Sequence, residues 1–260
     1  TMLSAVPIGV LASAYYNPLG ATTLANGDPN PNRVTNGIGS GVSAAGRNLL
    51  MEDYRFVDAG PRVGIVTKDT YRLVAGFKGD LWGWDFDTGF LYSQANTNDL
   101  TLNRISSTLA QDAINRTDAT AYNPFNGGCF PRSAFENQDC TPNDQSVIDD
   151  ITIDVFRNGE TTLALADFKV SKPDIFTLPG GDVGLALGVE FRRETFKDDR
   201  DPRLDGTVTF TNAVNGDTFG SDVLGSSPSP DTSGNREVYS AFAEALIPVI
   251  SPDMEIPLFH

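Results

Sequence analysis

The sequence predicts an all-β protein whose antiparallel strands are patterned as the wall of a transmembrane β-barrel, about five or six strands of a larger barrel. Three observations carry that prediction. Long segments alternate apolar and polar residues with the period of two that puts successive side chains on opposite faces of a strand. An arm of about 11 residues rising roughly 3.3 Å each and tilted about 45° reaches about 25 Å, the height of a barrel's apolar band. Finally, the turns near Gly83, Gly180 and Pro252 are tight, whereas the alternate connections are long and polar. Short turns at one end and long loops at the other describe bacterial outer-membrane barrels, and a soluble sandwich needs no such bias.

The elements follow in order. Residues 1–50 are rich in Asn, Gly, Pro, Ser and Ala, with turn signals at Asn17-Pro18, Asn26-Gly27, Asn30-Pro31 and Asn36-Gly37, and read as one long loop. Glu52 to Val57 is a short strand candidate ending at Ala59-Gly60-Pro61. The first long strand, 69–81, puts Tyr71, Leu73, Ala75, Phe77 and Leu81 on one face and Arg72, Gly76, Lys78 and Asp80 on the other, with Val74 the sizeable apolar exception. Gly83 makes the turn. In the returning strand, 84–95, Trp84, Phe86, Phe90 and Tyr92 share a face opposite Asp85, Asp87, Gly89 and Ser93. A long polar segment follows, with a short helix or turn expected over 144–154.

The second hairpin runs from 161 to 176 and back from 182 to 197 through Leu178-Pro179-Gly180-Gly181-Asp182, a strong turn signal. Val183, Leu185, Leu187, Val189 and Phe191 alternate there with Gly184, Ala186, Gly188, Glu190 and Arg192. In the outgoing arm Leu163 and Leu165 have one parity and Phe168 and Val170 the other, which predicts a bulge near Ala166 and Asp167. A polar loop, 198–235, is expected to carry a small hairpin at 207–218, and the last strand, 236–250, ends at Ser251-Pro252-Asp253. Tyr71, Trp82, Trp84, Phe176, Phe196 and Tyr239 stand near arm ends, where aromatic girdles belong.

The formal net charge of -15 argues against a nucleic-acid partner, which needs a clustered basic face. The single His is His260, so no His-dependent triad or His metal cluster is expected. No Gly-rich loop follows a strand and opens a helix, so no nucleotide is expected. The sequence thus assigns no catalytic residue and no cofactor. Asp198, Asp199, Asp201 and Asp205 form a weak candidate for loop-held Ca²⁺, although their spacing misses the EF-hand pattern. Cys129 and Cys140 share an Asn/Gly/Pro-rich segment where a disulfide would close a short loop in an oxidising compartment; two free thiols are the alternative.

Taken together, TYRLVAGFKGDL, WGWDFDTGFLYS, YNPFNGGC, LALGVEFRRETF and EVYSAFAEALIPVISPDMEIP resemble, in this order and spacing, the barrel of TonB-dependent outer-membrane receptors of Gram-negative proteobacteria. The likeness covers residues 50–260. It implies a barrel of about 22 strands plugged by an N-terminal domain. With no plug, no TonB box and too few strands to close, the chain is expected to be an internal segment of a longer receptor.

The resemblance implies an extracellular loop over 1–50, first strands and hairpin over 51–98, a long loop over 99–160, a second hairpin over 161–197, a long loop over 198–235, and a last strand and turn over 236–260. Tyr71, Leu73, Phe77, Trp84, Phe86, Phe90, Val183, Leu185, Leu187, Val189 and Phe191 would face lipid. Arg72, Lys78, Asp85, Asp87, Glu190, Arg192 and Glu194 would face the lumen. Expected partners are outer-membrane lipid, the remaining barrel and plug, TonB through that plug, and a scarce solute such as a ferric siderophore, an oligosaccharide or a cobalamin-like compound. The alternative is a secreted or surface β-sheet binding or structural protein whose apolar face packs on a second sheet.

Overall fold

The computed structural model describes residues 6–125 and 142–250. Its strands are β1 (Ile8–Val10), β2 (Leu49–Met51), β3 (Val63–Leu81), β4 (Trp84–Ile105), β5 (Thr152–Leu178), β6 (Gly181–Arg200), β7 (Phe210–Thr211), β8 (Thr218–Phe219) and β9 (Thr232–Leu246). Helices α1 (Ser107–Ile114), α2 (Gln145–Ile151) and α3 (Pro202–Asp205) lie between them. The five long strands form one open antiparallel sheet in the order β3-β4-β5-β6-β9, leaving β3 and β9 as its edges. No helix among the described residues is long and apolar enough to cross a membrane.

The chain divides into two compact units: residues 1–66, 99–157 and 200–231 form a loop unit, and residues 67–98, 158–199 and 232–260 form a sheet unit. Within the sheet unit, the turn between β3 and β4 needs only two residues, Trp82 at φ 56° and Gly83 at φ 74°. Positive φ at both central positions matches the right-handed twist of the flanking strands. A Cβ at Gly83 would meet only the Lys172 Nζ, at 3.7 Å, so the cost of a side chain there is conformational. Gly83→Ala is therefore expected to lower stability by about 1–2 kcal/mol, seen as a lower urea midpoint at unchanged slope.

Cross-strand contacts fix the register. A Cβ on Gly79 would touch the Phe86 ring at 3.0 Å, and one on Gly89 would touch Asp167 Oδ2 at 3.0 Å. Thr162 Oγ1 and Thr195 Oγ1 share a hydrogen bond of 2.5 Å, and a Cβ on Gly184 would lie 3.5 Å from Pro173 Cα. The same number of residues separates those last two contacts on each strand, so nothing is inserted at Ala166 and Asp167. The expected bulge is absent: Phe168 and Val170 stay on the apolar face, while Leu163 and Leu165 belong to the opposite one. Between β6 and β9, Leu187 pairs with Ala243, Phe191 with Tyr239 and Glu194 with Arg236.

In the loop unit, α1 and α2 pack with β1 around Ile8, Val10, Ile105, Ile114, Tyr122 and Ile151. Residues 7–50 are therefore more than a loop: β1 pairs with β2, and Asn17 binds the Leu11 and Arg47 carbonyls at 2.9 and 2.8 Å. The strand expected over Glu52 to Val57 is replaced by β2 just upstream and a 3-10 turn at Val57–Ala59. The small hairpin forms as β7 and β8, and of the short helix or turn expected over 144–154 the helix forms, as α2.

Candidate functional site

Two faces of the sheet unit and one cleft of the loop unit carry the chemistry. The register aligns Tyr71, Leu73, Phe77, Trp84, Phe86, Phe90, Leu185, Leu187, Val189 and Phe191 on one face, joined by Phe168, Val170 and Tyr239. Most of this face is open: Leu73 is 70% exposed, Phe77 65% and Tyr239 74%. Val183 departs from expectation, being buried near the tight turn and adding nothing to the open surface.

One end of the apolar band is sharply defined. Tyr71 is followed along its face by Asp69, Tyr92 by Gln94, Phe191 by Arg193 and Tyr239 by Glu237. Three tyrosines from three strands thus stand where apolar gives way to polar, and the Phe191 ring packs against Tyr239 at a tilt of 43° with centroids 5.0 Å apart. Tyrosine suits such a boundary because its ring is apolar and its hydroxyl stays wet. Phe196, expected in a girdle, instead lies on the opposite face, where it pairs with Gly234 and lines a cleft with Glu194 and Arg236.

The opposite face gathers charge. Lys78, Asp80, Asp85, Asp87, Lys169 and Glu244 line one depression of about 790 Å³. Farther along, Glu194 accepts from Arg236 at 2.5 Å and lies 3.3 Å from Arg192 Nε as an ion pair, without a hydrogen bond between them. Arg72 and Lys78 are exposed, and Glu190, Arg192 and Glu194 are half-buried. Phe242 lies over Gly188 on this side, filling the space that a side chain there would take.

The four aspartates do not build a calcium site. Asp201 caps α3 by accepting from the Arg203 N–H at 2.9 Å, Asp205 accepts from the Thr207 N–H at 2.6 Å, and Asp199 lies 4.0 Å from Lys197. Among the described residues, no group of three or more His, Cys, Asp or Glu could hold a metal ion. The carboxylates of Asp199, Asp201 and Asp205 are engaged in local capping and pairing and do not converge. Cys129 and Cys140 fall outside the described residues.

The loop unit owes its order to polar side chains that the sequence reading did not single out. Ser106 caps α1, accepting from the Leu109 N–H at 3.1 Å. The fully buried Asp222 accepts from Ser106 Oγ at 2.6 Å and from the Thr108 N–H at 2.8 Å, and it pairs with Arg203. Gln111 ties the Gly9 and Ala213 N–H groups to α1 at 3.2 and 2.9 Å. A readable signal existed for α3, where Asp201-Pro202 and Gly206 at φ 102° frame a short helix. The amide bridges had no comparable signal, because they join segments about a hundred residues apart in sequence.

A cleft of about 660 Å³ in the loop unit is lined by Tyr54, Arg55, Phe56, Arg62, Asn103 and Gly225 among others. Behind it Tyr122 donates to Asp58 at 2.6 Å and lies 3.4 Å from the Tyr54 hydroxyl. Burial, then the neighbouring Tyr54 and the Asp58 carboxylate, push the Tyr122 phenol well above its ordinary range, and burial also raises Tyr54. Both hydroxyls therefore stay protonated at neutral pH and act as hydrogen-bonding groups. Comparison with known protein families and with curated proteins gives no match to either.

Proposed function

We propose that the chain is a wall segment of a TonB-dependent receptor in the bacterial outer membrane, which takes up a scarce solute using TonB-coupled energy. The observation that supports this reading best is the open apolar face of the sheet unit, bounded by Tyr71, Tyr92 and Tyr239. Soluble proteins rarely leave more than a few hundred Å² of contiguous apolar surface uncovered. Lipid covers that face in the proposed setting, further strands of the same barrel continue from β3 and β9, and the charged face turns to the lumen, where water or a plug meets it. The plug is the part on which TonB acts. The loop unit faces the outer medium and captures solute, and a Cys129–Cys140 bridge would suit that compartment. No catalytic step is assigned to any residue.

Size-exclusion chromatography with light scattering tests the reading. The 260-residue chain is expected to be monodisperse only in detergent micelles and to aggregate without them. A stable 27.9 kDa monomer in detergent-free buffer would overturn the membrane reading and favour a water-soluble binding or structural β protein.

A further inference from the structure

We propose that the cleft of the loop unit binds a carboxylate-bearing solute through Arg62, Arg104 and Arg55. Arg55 and Arg62 line the cleft directly. Arg104, from β4, does not line the cleft itself, but its guanidinium binds Ser226 Oγ and the carbonyl of the lining residue Leu224, the latter at 3.4 Å. Arg62 reaches the same turn, with Nη2 3.9 Å from the position of a Cβ on Gly225. Two guanidinium groups thus flank residues 224–226, with a third on the cleft wall.

No ion pair within 4.0 Å joins any of these arginines to a carboxylate among the described residues, and Arg104 Nε is buried without a hydrogen-bond partner. The chain carries 34 acidic against 19 basic residues, so partners are plentiful. Grouping three cations around one wall carboxylate, Asp53, that pairs with none of them leaves an excess of positive charge that an anion would neutralise. Burial first, and then the nearby charge of Arg62, push the Arg104 guanidinium below its ordinary value. A carboxylate matches the planar fork of guanidinium donors. Asp53 also lines the cleft, as does Tyr54, and both can accept from solute hydroxyls. The inference takes from the receptor reading only the side from which the solute arrives.

Glucuronate and glucose form a matched pair of probes that differ by the carboxylate. Titrated calorimetrically into the full chain in detergent micelles, glucuronate is expected to bind at least tenfold more tightly than glucose. Arg62→Gln is expected to remove that preference; because Arg62 holds no structural hydrogen bond among the described residues, this variant should fold as the parent does. Arg104→Gln, which retains a donor for Ser226, should weaken glucuronate binding likewise. Equal affinity for the two sugars, or an unchanged preference in Arg62→Gln, would overturn the proposal. A detergent-dependent chain that fails to discriminate leaves the receptor reading standing without this site. A water-soluble monomer that discriminates leaves the site standing without the receptor reading.

Discussion

Arg203→Ala is expected to destabilise the loop unit by about 3–5 kcal/mol, because it leaves the carboxylate of Asp222 buried without its counter-charge. Asp222 has no solvent exposure, whereas the Arg203 side chain is 32% exposed, so the acid depends on the base more than the reverse. The donors that remain, Ser106 Oγ and the Thr108 N–H, together with the positive end of α1, place the expected cost at the lower end of that range. Adding Asp222→Asn should recover part of the loss by removing the buried charge, so the double variant should cost less than the two singles combined. Hydrogen exchange of the α1 amides, Ser107–Ile114, reads the effect locally. Unchanged protection there in Arg203→Ala would mean that the pair does not hold the unit together.

Leu187→Arg is the second large expected effect. Leu187 lies within the apolar band, paired with Ala243 and followed by Val189 and Phe191 on the same face. A cation facing hydrocarbon at mid-depth costs about 2–4 kcal/mol, expected as a lower urea midpoint for refolding into lipid vesicles. The neighbouring Ala186→Arg supplies the contrast. Ala186 points to the charged face, pairs with Glu244 and lines the depression that also holds Asp85 and Asp87. An arginine there gains carboxylate neighbours and should cost less than about 1 kcal/mol. Equal penalties at 186 and 187 would show that the two faces do not differ in environment.

How far the sequence could be read follows from where hydrophobicity alternates. Val183 to Phe191 was legible because each apolar residue faces a Gly, Ala or charged residue on the other side. The strands continue well beyond such stretches: β5 begins at Thr152 and β4 runs to Ile105, where TNDLTLNRI and DVFRNGETT show weak or no two-residue contrast. Pairing persists there because the backbone ladder does not need an apolar face once both sides are polar. The false bulge has a related cause. Leu163 sits on the charged face beside Ser93 and Glu194, Leu165 shares its parity, and a face that is not purely polar disguises strand parity.

The loop unit was the least legible part. Its order comes from single amides and one buried ion pair whose members are remote or unremarkable in sequence, such as Gln111 with Gly9 or Arg203 with Asp222. Polar, Asn-rich composition reads as loop, since propensity carries no information about a side-chain amide that bridges two backbones. Arg62 and Arg104 were hidden for the same reason, as they meet only after residues 224–226 come together with β4.

The lipid-facing assignment is tested most directly by spin-label accessibility scanned residue by residue over 183–194, in lipid vesicles, with Cys129 and Cys140 replaced by alanine. Contact with oxygen dissolved in the bilayer is expected to peak at 185, 187, 189 and 191, with a water-soluble nickel reagent reaching 186, 188, 190, 192 and 194 instead. The oxygen signal should fade from 193 onward, where Arg193 ends the apolar face. Uniform access to the water-soluble reagent, or the reverse parity, would contradict the assignment of this sheet to a membrane wall.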